Sequence, residues 1–232
     1  MICICIGEPT VKHCKKILLD PDVEMAEIRL DGAYLSANEI QTIFSLHPRL
    51  IATCRPGNHT GKERKKVLVT AIIAGAAFVD IEIEADPAFK EELIQIAHVQ
   101  GCQVILSYHN FETTPPRGDL ETIVNQCISD GADIVKVACQ VHSVSHCLRL
   151  LSLYDFHHPE VKIDKETGSE KTGDSCQIIA IGMGEKGKIT RVAAPFLGAP
   201  FTYASIVTGL ETAPGQVDAD TLGKIYRLLS SK

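Results

Sequence analysis

The feature that most constrains this chain is a rhythm. Eight short β-rich runs alternate with helix-period segments along its 232 residues. Strands are expected at 2–6 (ICICI), 25–31 (MAEIRLD), 50–55 (LIATCR), 78–83 (FVDIEI), 103–109 (QVILSYH), 133–139 (DIVKVAC), 177–183 (QIIAIGM) and 201–205 (FTYAS). Helical patterns lie between and after them, near 9–19, 36–46, 61–75, 87–99, 119–130, 142–156, a short one at 189–197, and 219–230. Strand–helix units in series build a parallel sheet, and eight of them favour a closed barrel over an open sheet. The expected fold class is therefore α/β, a (β/α)8 TIM barrel, as a single domain over 1–232. Ser36 with Glu39 reads as a capping box, and Asp119 as a helix start after a Pro-Pro-Arg-Gly turn. The polar stretch 157–175 (HHPEVKIDKETGSEKTGDS) reads as one long, mobile, exposed loop.

Strands covered on both faces should be nearly continuous apolar runs. Several of these are not, and the exceptions alternate with period two. Glu27, Arg29 and Asp31 share one face of 25–31, opposite Ala26, Ile28 and Leu30. Asp80, Glu82 and Glu84 likewise oppose Ile81 and Ile83. Arg55 ends the third strand, Ser107 and His109 end the fifth, and Lys136 stands in the middle of the sixth. The apolar face must meet the helices, so the charges point into the barrel, where each is costly unless paired. A ring of mutually satisfied ion pairs would explain some of them and accounts least well for Lys136. A lysine between Ile134, Val135, Val137 and Ala138 is snorkelling, paired or functional, and a closed interior argues against snorkelling. Desolvation and nearby cations such as Arg29 or Arg55 would favour its neutral, nucleophilic amine. His109, at the end of the preceding strand, should be its neighbour.

Composition narrows the classes. Net charge is −6 and the basic residues are dispersed, so neither nucleic acid nor an anionic membrane is an expected partner. Apolar runs such as 67–79 fall short of the roughly 20 residues needed to span a bilayer, and MICICIGEP enters a strand without a charged leader, so no signal peptide is expected. Nine cysteines, an odd number with no CxxC pair, read as free thiols in a reducing cytoplasm rather than disulfides or a metal site. Cys3 and Cys5, sharing one strand face, read as core filling.

Several motifs then fall in order along these junctions. SYHNF at 107–111 is similar to the histidine signature of type I dehydroquinate dehydratases, and Lys136 in DIVKVA matches that family's Schiff-base lysine on the next strand. EIR at 27–29 and the arginine of ATCR, Arg55, resemble the family's E-x-R and strand-three arginine. GMGEKGKITR at 182–191 resembles its M-G-x-x-G-x-x-S-R turn, and TAPGQ at 212–216 its S-A-P-G-Q lid. The resemblance spans residues 25 to 216.

It implies dehydration of 3-dehydroquinate to 3-dehydroshikimate, the third step of the shikimate pathway to chorismate and the aromatic amino acids. Lys136 and His109 would be catalytic, as nucleophile and proton shuttle. Glu27, Arg29, Arg55, Arg191, Thr212 and Gln216 would bind substrate, with Arg191 on its carboxylate and Thr212 and Gln216 on the lid. The imine would do the electronic work without metal or cofactor, in a cytoplasmic homodimer. One departure concerns the turn after Arg55, where RPGNH places His59 at a position the family gives to a glutamate. Glu63, one turn on, or Glu82 is expected to hydrogen-bond His109 instead. Two alternatives compete: another lysine-imine barrel lyase resembling the class I aldolases, and a non-catalytic, ligand-binding relative.

Overall fold

The computed structural model describes residues 1–156, 161–163, 170–172 and 176–230. In chain order its strands are β1 (Ile2–Ile6), β2 (Met25–Arg29), β3 (Leu50–Thr53), β4 (Phe78–Glu82), β5 (Gln103–Asn110), β6 (Ile134–Gln140), β7 (Val161–Ile163), β8 (Glu170–Thr172), β9 (Gln177–Met183) and β10 (Thr202–Ser205). The helices are α1 (Val11–Leu18), α2 (Ala37–Phe44), α3 (Gly61–Ile73), α4 (Pro87–Val99), α5 (Arg117–Ser129), α6 (Val144–Leu151), α7 (Leu153–Phe156), α8 (Lys188–Ala193) and α9 (Ala219–Ser230). Eight strands pair in parallel in the order β10-β1-β2-β3-β4-β5-β6-β9, a nearly closed (β/α)8 barrel.

All eight expected barrel strands form. The polar stretch expected as one loop carries the antiparallel pair β7–β8 instead, and its remaining residues lie outside the described ones. α5 begins at Arg117, two residues before Asp119. Pro116, with φ of −54°, occupies the cap, and Asp119 falls in the first turn, where a carboxylate faces the positive end of the helix dipole. The Ser36–Glu39 capping box is present, and Thr60–Glu63 forms a second one at the start of α3. β2 stops at Arg29 because the chain turns at once into a 3-10 segment at Leu30–Gly32.

Alternation along the strands sorts the core into two parts. Outward residues such as Ile28, Val79, Leu106, Val135 and Val137 pack on Ile40, Ile43, Leu68, Leu93 and Val124 of the helices. Each such side chain contributes on the order of 1.5–3 kcal/mol when fully buried. Inward residues at the N-terminal end of the barrel form a separate apolar plug of Cys3, Met25, Ile51, Phe78, Ile105, Ile134, Ile179 and Phe201. Phe78 and Phe201 meet edge to face at 5.9 Å within it. Above this plug the same strands place Glu27, Thr53, Asp80, Ser107 and Lys136, all buried. The barrel is thus apolar at one end and charged at the other, and the charged end is the C-terminal one, where barrels of this kind carry their sites.

Candidate active site

The β4–β5–β6 register sets the centre of the site. Glu82 lies opposite Ser107, Ser107 opposite Lys136, and Lys136 opposite Ile179. Lys136 Nζ donates to Asp80 Oδ2 at 2.9 Å, lies 4.0 Å from Glu27 Oε1, and sits 4.3 Å above the centre of the Tyr203 ring. Arg55 Nη2 reaches the same Asp80 oxygen at 2.9 Å, while its Nη1 contacts Glu82 Oε1 at 2.9 Å and donates to Ser107 Oγ at 3.0 Å. Ser107 Oγ in turn donates to Asp80 Oδ1 at 2.6 Å. The cation expected beside Lys136 is therefore Arg55, through a shared carboxylate. Arg29 instead pairs bidentately with Asp31, at 3.0 and 2.7 Å.

Electrostatics follow from this packing. Burial works against the charge of Asp80, but Arg55 and then Lys136 hold its carboxyl well below the usual range. Burial likewise opposes the Arg55 cation, which Asp80 and Glu82 more than restore. His109 is pushed down to about 2 by burial, then by Arg55 and Lys136, so its imidazole is neutral at physiological pH. Tyr203 stays a phenol, its ionisation opposed by burial and then by Glu27 and Asp80.

Arg191 comes from α8, a short helix pinned by Thr190, whose Oγ1 accepts from Gly182 N at 2.7 Å and donates to Gly187 O at 2.8 Å. Gly187 is glycine because a Cβ there would lie 2.4 Å from the carbonyl carbon of Gly182. Arg191 is 2% exposed; among the described residues its guanidinium donates to Tyr203 O, at 3.3 Å, and its Nε has no partner. Burial brings it down to about 10, so it remains a cation, with no described carboxylate beside it. Charges buried that way are expensive and mark places where an anion is received.

The lid rests on a backbone contact. Gly184 N donates to Pro214 O at 3.1 Å, and Gly215, with φ of +75°, approaches Gly184 so closely that a Cβ would fall 2.3 Å from its carbonyl oxygen. Gln216 Oε1 then accepts from Thr212 N at 2.7 Å, and Gln216 Nε2 donates to Thr212 Oγ1 at 3.1 Å and to Cys5 Sγ at 3.2 Å.

All eight residues singled out from the sequence, Glu27, Arg29, Arg55, His109, Lys136, Arg191, Thr212 and Gln216, line one cavity of about 470 Å³. Glu82, Glu84, Phe111 and Tyr203 line it too, and Asp80 lies beneath it. Alternation along 78–84 pointed to Asp80, Glu82 and Glu84 without assigning them a role, and no such signal marked Phe111 or Tyr203.

The expected carboxylate on His109 is corrected. Glu63 is spent on its capping box, accepting from Thr60 N and Oγ1, and Glu82 is divided between Arg55 and Arg64. Among the described residues, the contact of the His109 ring is a stack on Phe111, 6.1 Å between centroids at 14°. His59 lies away from the cavity, against Leu30 O at 3.3 Å and edge-on to Tyr34. No group of three or more His, Cys, Asp or Glu among the described residues is arranged to hold a metal ion. All nine cysteines are free.

The family model for type I 3-dehydroquinase matches residues 2–232. The chain belongs to that family. It is 35% identical to the 3-dehydroquinate dehydratase of Methanocaldococcus jannaschii, covering 100% of both chains. It is 34% identical to that of Methanosarcina mazei, covering 97% of this chain and 92% of the relative. The crystal structure of the Geobacillus kaustophilus 3-dehydroquinate dehydratase superposes with a TM-score of 0.82 at 19% identity, covering 100% of this chain and 92% of that one. That likeness bears on the fold. Family membership sets aside both the aldolase-like and the non-catalytic alternatives: the chain is a hydro-lyase of the type I, Schiff-base class. No helix among its described residues is long and apolar enough to cross a membrane.

Proposed function

We propose that this barrel dehydrates 3-dehydroquinate to 3-dehydroshikimate through an imine on Lys136, with His109 as proton shuttle and Arg191 as carboxylate anchor. The reading rests chiefly on a lysine amine and a neutral imidazole facing the same cavity as a buried guanidinium that has no carboxylate partner among the described residues. Lys136 is held by Asp80 and attacks as the neutral amine; the proton it gives up returns to the carbinolamine hydroxyl, which departs as water. The neutral amine adds to the ketone carbon, and loss of water from the carbinolamine leaves an iminium. The nitrogen carries a positive charge both before and after, so Asp80 at 2.9 Å serves ammonium and iminium alike.

His109 takes the proton from the carbon beside the iminium, and the electron pair is held as an enamine. Collapse of the enamine expels the hydroxyl, which leaves as water with the proton His109 carries. Hydrolysis of the iminium by one water releases the enone and restores the amine, so the net change is loss of one water. The imidazole of His109 is neutral, the form that can accept a proton. Arg29, Arg55 and Glu27 line the wall that would hold the ring hydroxyls, and the Thr212–Gln216 lid would close over the substrate and exclude water.

Enone absorbance on addition of 3-dehydroquinate measures turnover, and borohydride then traps the imine as a secondary amine. The added mass is expected on the peptide holding Val135, Lys136 and Val137. Turnover with Lys136 unmodified would overturn the imine reading.

The homodimer implied by the resemblance would cover Val144 and Leu148 of α6 and Ile189 of α8, which are exposed on touching helices. Light scattering should then return twice the chain mass of 25.2 kDa. Nine free thiols fit a reducing, cytoplasmic setting.

A further inference from the structure

Arg64 lies on α3 and does not line the cavity, yet it ends the chain of charges that does. Its Nε donates to Cys54 O at 2.9 Å, its Nη2 contacts Glu82 Oε2 at 2.6 Å, and its guanidinium carbon stands 5.2 Å over the Phe89 ring. Three elements therefore fix one buried cation. Glu82 has two carboxylate oxygens, and the guanidinium of Arg64 holds one while Arg55 holds the other at 2.9 Å. Arg55 passes the order on to Asp80, and Asp80 to Lys136.

We infer that Arg64 is a positioning residue, which fixes Glu82 so that Arg55 keeps its donors and its charge available to the substrate. This inference rests on the reading of Arg55 as a substrate contact. Along the chain, three cations (Arg64, Arg55, Lys136) alternate with three carboxylates (Glu82, Asp80, Glu27). Arg29 stands apart with Asp31. Without Arg64 the chain carries one excess negative charge beside a cavity that must receive an anion. The released oxygen of Glu82 would then turn on Arg55 and compete with the substrate for its donors. Both effects weaken substrate binding before they touch the proton transfers at His109.

Steady-state kinetics of Arg64→Met and Arg64→Lys, alone and in a Glu82→Gln background, together with melting temperatures, test this. Arg64→Met should raise KM about tenfold with kcat changed less than about threefold, because the lost interaction acts on binding. Arg64→Lys should recover most of KM, since the cation against Glu82 is kept. With Glu82 already neutral, Arg64→Met should change KM by less than about twofold, the signature of two residues acting through one contact. A fall in melting temperature with KM unmoved would overturn the proposal, as would an undiminished effect in the Glu82→Gln background or a loss confined to kcat. Should Arg64→Met fail to fold, Arg64→Gln keeps a donor for Cys54 O and is read by the same criteria. Failure of the imine reading would show separately, as absence of borohydride trapping in the unaltered protein.

Discussion

Lys136 Nζ and Asp80 Oδ2 lie 2.9 Å apart across β5, with Ser107 bridging beneath them to the other oxygen of the aspartate. The lysine found from its apolar surroundings is therefore also a paired lysine, and the two readings do not compete. Asp80 is the shared counter-ion of the buried Lys136 and the half-buried Arg55, whereas Lys136 is one of three groups on Asp80.

Removal of the two partners should therefore be unequal. Lys136→Ala leaves Asp80 held by Arg55 and Ser107, so the protein should fold with stability close to the unaltered chain while losing essentially all turnover. Asp80→Ala takes from Lys136 its 2.9 Å partner, leaving Glu27 at 4.0 Å, and leaves Arg55 to Glu82; it should cost about 3–5 kcal/mol, the range for breaking a buried pair. Chemical denaturation of the two variants measures the difference. Equal losses would show that the aspartate is not the keystone of the pair.

Arg191 should trade stability for binding. A buried guanidinium with no carboxylate partner among the described residues destabilises the empty protein, so Arg191→Met should melt at the same temperature or higher. The same variant should bind substrate more weakly by about 2–4 kcal/mol, through loss of a charge-assisted carboxylate pair. Thermal melts with and without 3-dehydroquinate read both effects at once. Normal binding with turnover lost would remove Arg191 as the anchor.

His109 should impose an acid limb on stability. In the unfolded chain it titrates near 6.5, and in the fold only near 2. Below pH 6.5 the unfolded state therefore binds a proton that the folded state refuses, and stability falls as pH falls, by up to about 1.4 kcal/mol per pH unit. The carboxyl of Asp80, held low, adds its own loss only below its ordinary value of 3.8. The carboxyls of Glu39, Glu63 and Glu211, held below their ordinary 4.5, add theirs near pH 4, so the histidine is read by difference between pH 6 and 5: His109→Asn should flatten the stability curve there. A variant curve parallel to the original would mean that the folded imidazole is protonated after all.

The lid offers a paired test. A Cβ at Gly7 would lie 2.9 Å from Thr212 Cγ2, so Gly7→Ala should displace the lid and lower kcat/KM. Thr212→Ser removes that methyl and keeps the hydroxyl that meets Gln216, so alone it should be tolerated and in combination it should rescue Gly7→Ala. Thr212→Val keeps the crowding, loses the hydroxyl and should be impaired. Failure of the double variant to recover would separate Gly7 from the lid.

Much of this was legible in the sequence for local reasons. Period-two alternation identified which faces of β2 and β4 carry charge, and a parallel barrel leaves such a face nowhere to go but inward. Glu27, Arg29, Arg55, His109 and Lys136 stand out from strand parity and strand ends, which are short-range features, whereas Arg191, Thr212 and Gln216 were reached only through the resemblance of their turns to the family's motifs. Gly215 shows the same logic from the other side: its place in APGQ is legible, but the approach of Gly184 that requires it is not.

What only tertiary structure decided is who pairs with whom. Arg64 sits in GKERKK, a run that reads as a solvated helix face, and no local pattern says that it turns inward to Glu82. Likewise the sequence offered Glu63 and Glu82 as partners for His109, and the fold spent both elsewhere, one on a cap and one between two arginines. The period of a strand or helix is set by backbone geometry within a few residues, so it survives in the sequence. The choice of counter-ion is settled by competition among all charges the closed barrel brings within a few ångströms, and Asp80 wins Lys136 from 56 residues away.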